Sequence, residues 1–377
     1  MITPGVIISL AQRADGAAFR RSLRAAGDRP LMKIAVITSN PLFAEGGHVV
    51  LARSLVDALR EAGHEVDLVR TPQNRFGRQG AAYLATWLTD VGVGCDDMPV
   101  DQVISFRYPS YAVRHPRHVC WLNHRMREYY DLWERFIVPL KWKGLLKEKV
   151  RRRIIHTVDR YLLTRNVTKL YTISATIQQR LQRFGGIPAE VLYPPAPQRP
   201  YRCDGYGEEF FAVSRLTPLK RLDLLIKACA EPQARHIRCT IAGDGEDGPR
   251  LKQLARDLGV DDRVRLIGSI TTTQLVDYLA RCRAVVFPTM SEDYGLVTVE
   301  AFASRKAVIT CTDSGGPSEL VRHQQEGLVT DPTPACIAEA MVQLSQSPTL
   351  AEKMGSAASA AGAAITWPRT LDRLLLR

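Results

Sequence analysis

Short apolar runs alternate with helical stretches along this chain, and they do so twice. That alternation constrains the fold more than any other feature. In the first half the runs 33–38, 65–69, 102–106, 118–122, 169–173 and 190–193 read as buried strands. Between the first two lies a helix over 49–61, with an apolar face of Val50, Leu51, Leu55, Ala58 and Leu59. In the second half the runs are 209–213, 238–242, 263–267, 284–287, 307–310 and 327–330. Helices fall at about 219–230, 248–258, 272–281 and 296–304. Strands that are apolar throughout are covered on both faces, and a helix between successive strands makes neighbours parallel. The expected fold class is α/β, with two Rossmann-like sheets wrapped by helices.

Between the two series stands Tyr193-Pro-Pro-Ala-Pro-Gln-Arg-Pro200. Four prolines in eight residues cannot continue a helix or a central strand. They set the domain boundary, giving an N-terminal domain over 32–195 and a C-terminal domain over 196–360. A chain of 377 residues is long enough to bury two such cores. Residues 1–31 fit neither series. Rich in Ala, Gly and Arg, they read as a disordered extension or as a start assigned too far upstream. Ligands of such sheets bind beyond the carboxyl ends of the strands, so the expected site is a cleft between the two.

The formal net charge of +12 is unevenly spread. Residues 141–169 hold ten Lys and Arg against Glu148 and Asp159, a net +8. Such a run suits an anionic membrane surface, a phosphorylated substrate or nucleic acid, or is simply a solvated helix face. Its apolar residues Trp142, Leu145, Leu146, Ile154 and Ile155 would dip into a membrane interface. It lacks the interleaved aromatics that stack bases, so nucleic acid is not an expected partner. The eight cysteines include no CxxC pair, and Cys229 and Cys239 lie in apolar runs. They read as small buried hydrophobes in a reducing compartment, neither a metal site nor a disulfide frame. No apolar stretch approaches the roughly 18 residues of a membrane span, and the short run 6–10 has no basic residue before it. The expected location is the cytoplasm, with any membrane contact peripheral at the inner face.

Four segments carry chemistry. Moving a sugar from a nucleoside diphosphate leaves negative charge on the departing phosphate. That charge must meet a metal ion, or else fixed cations, helix N-termini and backbone N–H groups. No Asp-x-Asp stands at a strand end to hold a metal. Instead Arg215 and Lys220, within Ser214-Arg-Leu-Thr-Pro-Leu-Lys-Arg221, project from the carboxyl edge of a sheet. Taken alone they are ordinary loop charge. Sharper is Glu292-Asp-Tyr-Gly-Leu-Val-Thr-Val-Glu300, which leaves a strand and enters a helix. Its two carboxylates can each take both hydroxyls of a vicinal diol, and Gly295-Leu296 exposes amides toward phosphate. A helix start with favourable acids would explain Glu300 but neither Glu292 nor the glycine. Gly46-Gly47 follows the first strand, where the backbone can approach a phosphate closely or merely turn. His124, at the end of Trp121-Leu-Asn-His-Arg125, sits at a strand's carboxyl end, either facing the cleft or structural.

Taken together these segments resemble glycosyltransferase family 4, retaining enzymes of the GT-B fold, over Met32 to the end. The likeness rests on Gly46-Gly47, SRLTPLKRLDLLIKA, IAGDGED, VRLIGSIT, the Glu-x7-Glu motif within FPTMSEDYGLVTVEAFA, and SGGPSEL with a later EGLV. The stretch WLNHRMREYYDLWERF is similar to bacterial members. Glu-x7-Glu is specific; the others are weak singly but come in the family's order. The resemblance implies a nucleotide-sugar donor, which is a substrate rather than a cofactor, a glycan or lipid-linked acceptor on the N-terminal side, and no metal. It implies that Arg215 and Lys220 bind the donor diphosphate and that Glu292 contacts the transferred sugar. Glu300 would bind the ribose. The stretch from Asp293 through Tyr294 and Gly295 to Leu296 would face sugar and phosphate. His124 would touch the donor sugar, and Ile270 would sit where the base is held. It also implies a C-terminal helix within 361–377 that crosses back onto the first domain. One departure is Arg221, where the family often has Gly. A nucleotide-sugar 2-epimerase of the same fold, and a non-catalytic sugar-binding or nucleic-acid-binding relative, are the alternatives; intact Arg215, Lys220, Glu292 and Glu300 speak against the inactive ones.

Overall fold

The structure is a computed structural model and describes residues 31–40, 46–73 and 77–376. The expectation for 1–31 therefore lies, Leu31 apart, outside the described residues. Every run read as a strand is one. The strands are β1 (Lys33–Asn40), β2 (Glu65–Pro72), β3 (Gln102–Ser105), β4 (His118–Leu122), β5 (Lys169–Thr172) and β6 (Glu190–Val191). They continue as β7 (Glu209–Val213), β8 (Arg238–Ala242), β9 (Val264–Gly268), β10 (Val285–Phe287), β11 (Val308–Cys311) and β12 (Gly327–Thr330).

Two six-stranded sheets result, ordered β2-β1-β3-β4-β5-β6 and β12-β11-β10-β7-β8-β9. Parallel ladders set their registers, with Val36 opposite Leu68 and Ile104 in the first and Phe211 opposite Thr240 and Val285 in the second. Strands β3, β4, β10 and β11 are buried at every position, because helices cover both faces. Contacts divide the chain into two compact units, Met1–Tyr171 with Trp367–Arg377, and Thr172–Thr366. The segment 172–195 packs with the second unit.

In the first unit, α1 (Gly47–Glu61) buries Val49, Leu51, Ala52, Leu55, Val56, Ala58 and Leu59. The last helix, Trp367–Leu374, also belongs here. Gln102 Nε2 donates to Leu374 O at 2.7 Å, Tyr171 Oη donates to Arg373 O at 2.9 Å, and the Trp121 and Trp367 rings meet edge to face at 6.4 Å. In the second unit one core of Phe210, Leu225, Ile226, Cys229, Cys239 and Ile241 lies on one side of the sheet, and another of Phe211, Val285, Phe287 and Phe302 on the other. Cys229 and Cys239 thus fill space as read from the sequence, and burial pushes the Cys229 thiol up to about 12. All eight cysteines are free thiols.

The strand orders matter for function. In the second sheet β7 and β10 are neighbours although two strands, β8 and β9, separate them in sequence, so the connections leave their carboxyl ends in opposite directions. A crevice opens at such a point, and ligands bind in it. The first sheet has the same reversal between β1 and β3.

Candidate active site

The crevice of the second unit is bounded by the loops after β7 and β10, which carry Arg215, Lys220 and Glu292. The structure brings Lys220 and Glu292 together: Lys220 Nζ contacts Glu292 Oε2, and Thr289 Oγ1 donates to the same oxygen at 3.2 Å. The loops are tied by Met290 N to Leu219 O at 2.9 Å and by Thr289 Oγ1 to the same carbonyl at 3.1 Å. Both charges are about four-fifths shielded, at 19% and 21% exposed, so the pair sits in a partly dry crevice rather than on open surface. Arg215 is exposed at the start of the same loop.

The expected helix start at 219 gives way to a short 3-10 turn over Pro218–Lys220, and the helix proper begins at Leu222. Arg221 breaks it. With φ 48° it is left-handed, a conformation in which glycine costs nothing and other residues are strained. Its guanidinium offsets that strain by donating to Pro288 O at 2.8 Å, Thr289 O at 2.7 Å and both carboxylate oxygens of Asp313 at 2.8 and 2.5 Å.

Close backbone packing fixes the surroundings. Gly243, in the IAGDGED turn, has φ +130°, and a Cβ there would stand 1.8 Å from Ser214 O. A Cβ on Gly316 would stand 2.5 Å from Tyr294 Cα. The SGGPSEL segment therefore lies directly against the Glu292 loop, with Glu292 N donating to Ser314 O at 2.8 Å and Gly316 N to Glu292 O at 3.0 Å. Sequence motifs that seemed separate are one packed unit around Glu292.

Past this loop the helix Leu296–Ala303 begins at Gly295, whose φ of +78° again favours glycine. Gly295 brings no capping side chain, and the first amide of the helix to bond inside it is Thr298's, to Gly295 O at 2.9 Å. The first-turn N–H groups and the positive helix end are thus directed at whatever occupies the crevice. The Tyr294 ring is buried, with Oη donating to Pro194 O at 2.5 Å, so its side chain is taken up by packing and leaves only the backbone toward the crevice. Asp293 pairs with Arg180, which also donates to Ser291 O at 2.7 Å. Arg180 was not foreseen; 113 residues separate it from Asp293, and no local pattern signals the contact.

Glu300 lies about a turn into that helix and is buried. Burial raises its carboxyl above the usual range, opposed by Arg199 and by a bond from Tyr201. Arg199 Nη1 forms an ion pair with Oε1, and Tyr201 Oη donates to it at 3.0 Å. Arg199 and Tyr201 were also missed. Ile270 follows the edge strand β9 and is half-buried against the core that holds Phe211.

In the first unit Gly46 caps α1 with φ −155°, ordinary extended backbone, and offers no side-chain cap; residues 41–45 lie outside the described residues. Gly47 opens the helix. Its N-terminus stands at the sheet's reversal point, with no acidic residue in the first turn. His124 follows β4, and its Nδ1 lies 2.7 Å from Arg125 O. A carbonyl only accepts, so Nδ1 is the donor in this contact.

The basic run forms the helix Trp142–Tyr161. Its two acids turn inward. Asp159 accepts from Tyr83, from Tyr111 at 2.6 Å and from Tyr130 at 2.7 Å, while Glu148 accepts from Tyr129 at 2.8 Å. The outer face is left basic, and along it Trp142, Leu146, Val150, Ile154 and Tyr161 are each more than half exposed. Ile155, expected at an interface, is instead buried, because it falls on the same helical face as Asp159 and Leu162; Leu145 is half-buried. No helix of the described residues is long and apolar enough to cross a membrane. Among them no group of three His, Cys, Asp or Glu side chains could hold a metal ion.

Residues 202–361 match the family model of group 1 glycosyl transferases. The chain is 34% identical over 181 residues to a D-inositol 3-phosphate glycosyltransferase of Nocardia farcinica, a match covering 45% of this chain and 40% of that protein. It spans less than half the length of each of the first curated relatives it matches. Solved structures resemble it over nearly its whole length. HepE of Anabaena, in complex with UDP and glucose, superposes with a TM-score of 0.66 at 18% identity, covering 91% of this chain and 97% of that one. Sucrose-phosphate synthase of Thermosynechococcus elongatus gives 0.70 at 16% identity, covering 90% and 96%. At such identities the likeness is one of fold, and the fold is the two-domain GT-B architecture.

Proposed function

We propose that the chain is a retaining glycosyltransferase of family 4 type. It moves a hexose from a UDP- or GDP-linked donor to a glycan or lipid-linked acceptor without a metal ion. The observation that carries this reading is the meeting of Lys220 and Glu292 at the reversal point of the second sheet, beside the uncapped helix that starts at Gly295. The donor diphosphate lies against Lys220, Arg215 and the first-turn amides of that helix. These fixed positive groups meet the charge that grows on the leaving phosphate as the glycosidic bond breaks, and they need no reorganisation at that moment. Glu292, held by Lys220 and Thr289, accepts hydroxyls of the transferred sugar. Glu300 takes the ribose diol. His124 is read as a contact of the donor sugar. No side chain is assigned as a covalent nucleophile.

The acceptor side draws on the helix Trp142–Tyr161. Its exposed apolar residues recur every fourth position from Trp142 to Ile154, between lysines and arginines. That is the pattern of a helix lying in a membrane interface, and a lipid-linked acceptor at an anionic surface fits it.

The test is release of nucleoside diphosphate from donor sugars, with and without excess EDTA, with the product's anomeric configuration read by NMR. Turnover that survives chelation and keeps the donor's configuration is expected. Loss of turnover restored by Mn²⁺ or Mg²⁺, or an inverted anomer, contradicts the reading; conversion of the donor sugar to its C2 epimer makes the protein a 2-epimerase.

A further inference from the structure

Arg199 and Tyr201 come from the proline-rich segment and end on one carboxylate oxygen of a buried glutamate. Arg199 precedes Pro200, which keeps it out of the helical region. Tyr201 N donates back to Arg199 O at 2.8 Å, and this tight turn brings both side chains to the same side. Arg199 Nη1 pairs with Glu300 Oε1, and Tyr201 Oη donates to Oε1 at 3.0 Å. Glu300 is 8% exposed and Arg199 16%, so the pair is shielded from water and its geometry is fixed by packing. Among the described residues Oε2 takes no hydrogen bond.

We propose that Arg199 and Tyr201 are positioning residues: they occupy Glu300 Oε1 and thereby present Oε2, in one orientation, to the vicinal hydroxyls of the donor's ribose. This rests on the reading of Glu300 as the ribose binder. A carboxylate can rotate, and a single-point grip would leave its second oxygen free to swing; two donors on Oε1 stop that. The arrangement also keeps the acceptor charged. Burial alone disfavours the ionised form of Glu300. Arg199 is the cation facing it and Tyr201 the neutral donor, and among the described residues these two are the titratable groups that act on it. Without Arg199 the carboxyl takes up a proton more readily, and a protonated carboxyl is a poor acceptor for two hydroxyls. Nucleotide affinity then depends on pH. It is retained above the raised pKa and falls tenfold for each pH unit below it.

Isothermal titration of UDP and GDP into the full chain between pH 5.5 and 8.5 tests this, with Arg199→Gln, Arg199→Lys, Tyr201→Phe and Glu300→Gln beside the wild type. Dividing by the wild-type value at each pH removes the nucleotide's own phosphate titration. The expected result is that Arg199→Gln loses at least tenfold more affinity at the acid end than at the alkaline end, while Arg199→Lys keeps the wild-type profile. Tyr201→Phe is expected to shift the profile in the same direction by less, and it decides the matter if Arg199→Gln does not fold. A uniform, pH-independent loss in Arg199→Gln, or wild-type binding in it and in Tyr201→Phe, overturns the positioning role. If Glu300→Gln binds like the wild type, or the wild type binds neither nucleotide, the assignment of Glu300 itself falls, and this inference with it.

Discussion

At the residue scale the site depends on a few charges placed where a sheet reverses. Lys220 is shielded, and it touches both Glu292 and, at 5.4 Å, the face of Phe287. On the proposed reading, a cation held this way would stabilise a leaving diphosphate without first reordering water. Lys220→Ala and Arg215→Ala should each cut kcat/KM by about a hundredfold or more, measured by nucleotide release under donor-limiting conditions. Near-wild-type values in both would remove these residues from the mechanism. The two acids should separate. Glu300→Ala is expected to weaken UDP or GDP binding, whereas Glu292→Ala should bind nucleotide normally and lose turnover. Equal loss of nucleotide binding in both variants refutes that division.

At the element scale, the loops are held by contacts that admit no side chain. Gly243 is the sharpest case, with a Cβ position 1.8 Å from Ser214 O and φ +130°. Gly259 also has a positive φ, +63°, but opens onto empty space. Gly243→Ala should therefore cost about 3 kcal/mol and Gly259→Ala about 1 kcal/mol, read as unequal falls in Tm by calorimetry. Equal falls would mean that the turn yields. The helix Trp142–Tyr161 makes a different prediction. Each Lys or Arg at an anionic surface contributes about 1 kcal/mol, and salt screens it. The protein should co-sediment with anionic vesicles at low salt and detach at high salt. Trp142→Ser with Leu146→Ser should weaken binding without lowering Tm, since both side chains are exposed. Negligible binding to anionic and neutral vesicles alike would leave this helix a solvated face and favour a soluble acceptor.

At the scale of the whole molecule, the fold was legible because the central strands, buried on both faces, carry a continuous apolar imprint and the edge strands a weaker one, and all twelve appear where those runs lie. The Glu-x7-Glu spacing was legible for a similar reason: strand, loop and helix follow one another locally. Helix starts were less so. The helix expected from 219 is interrupted at Arg221 by a left-handed backbone state that no periodicity encodes, although the glycine usual there in the family the sequence resembles marks the same place. Arg180, Arg199 and Tyr201 were invisible, because their partners lie 113, 101 and 99 residues away. The inward turn of Glu148 and Asp159 depended on tyrosines from other elements. The central claim is that the second unit binds a nucleotide sugar through Lys220 and its neighbours. A thermal-shift titration with UDP- and GDP-sugars, on the wild type and on Lys220→Ala, tests it most directly. Ligand at a hundred times its Kd adds about 2.7 kcal/mol to the stability of the native state. The account predicts a rise in Tm with at least one of these donors, no rise with the free sugar, and a much smaller rise in Lys220→Ala at equal ligand. A flat response of the wild type to every UDP- and GDP-sugar, or an equal rise in the variant, would contradict it.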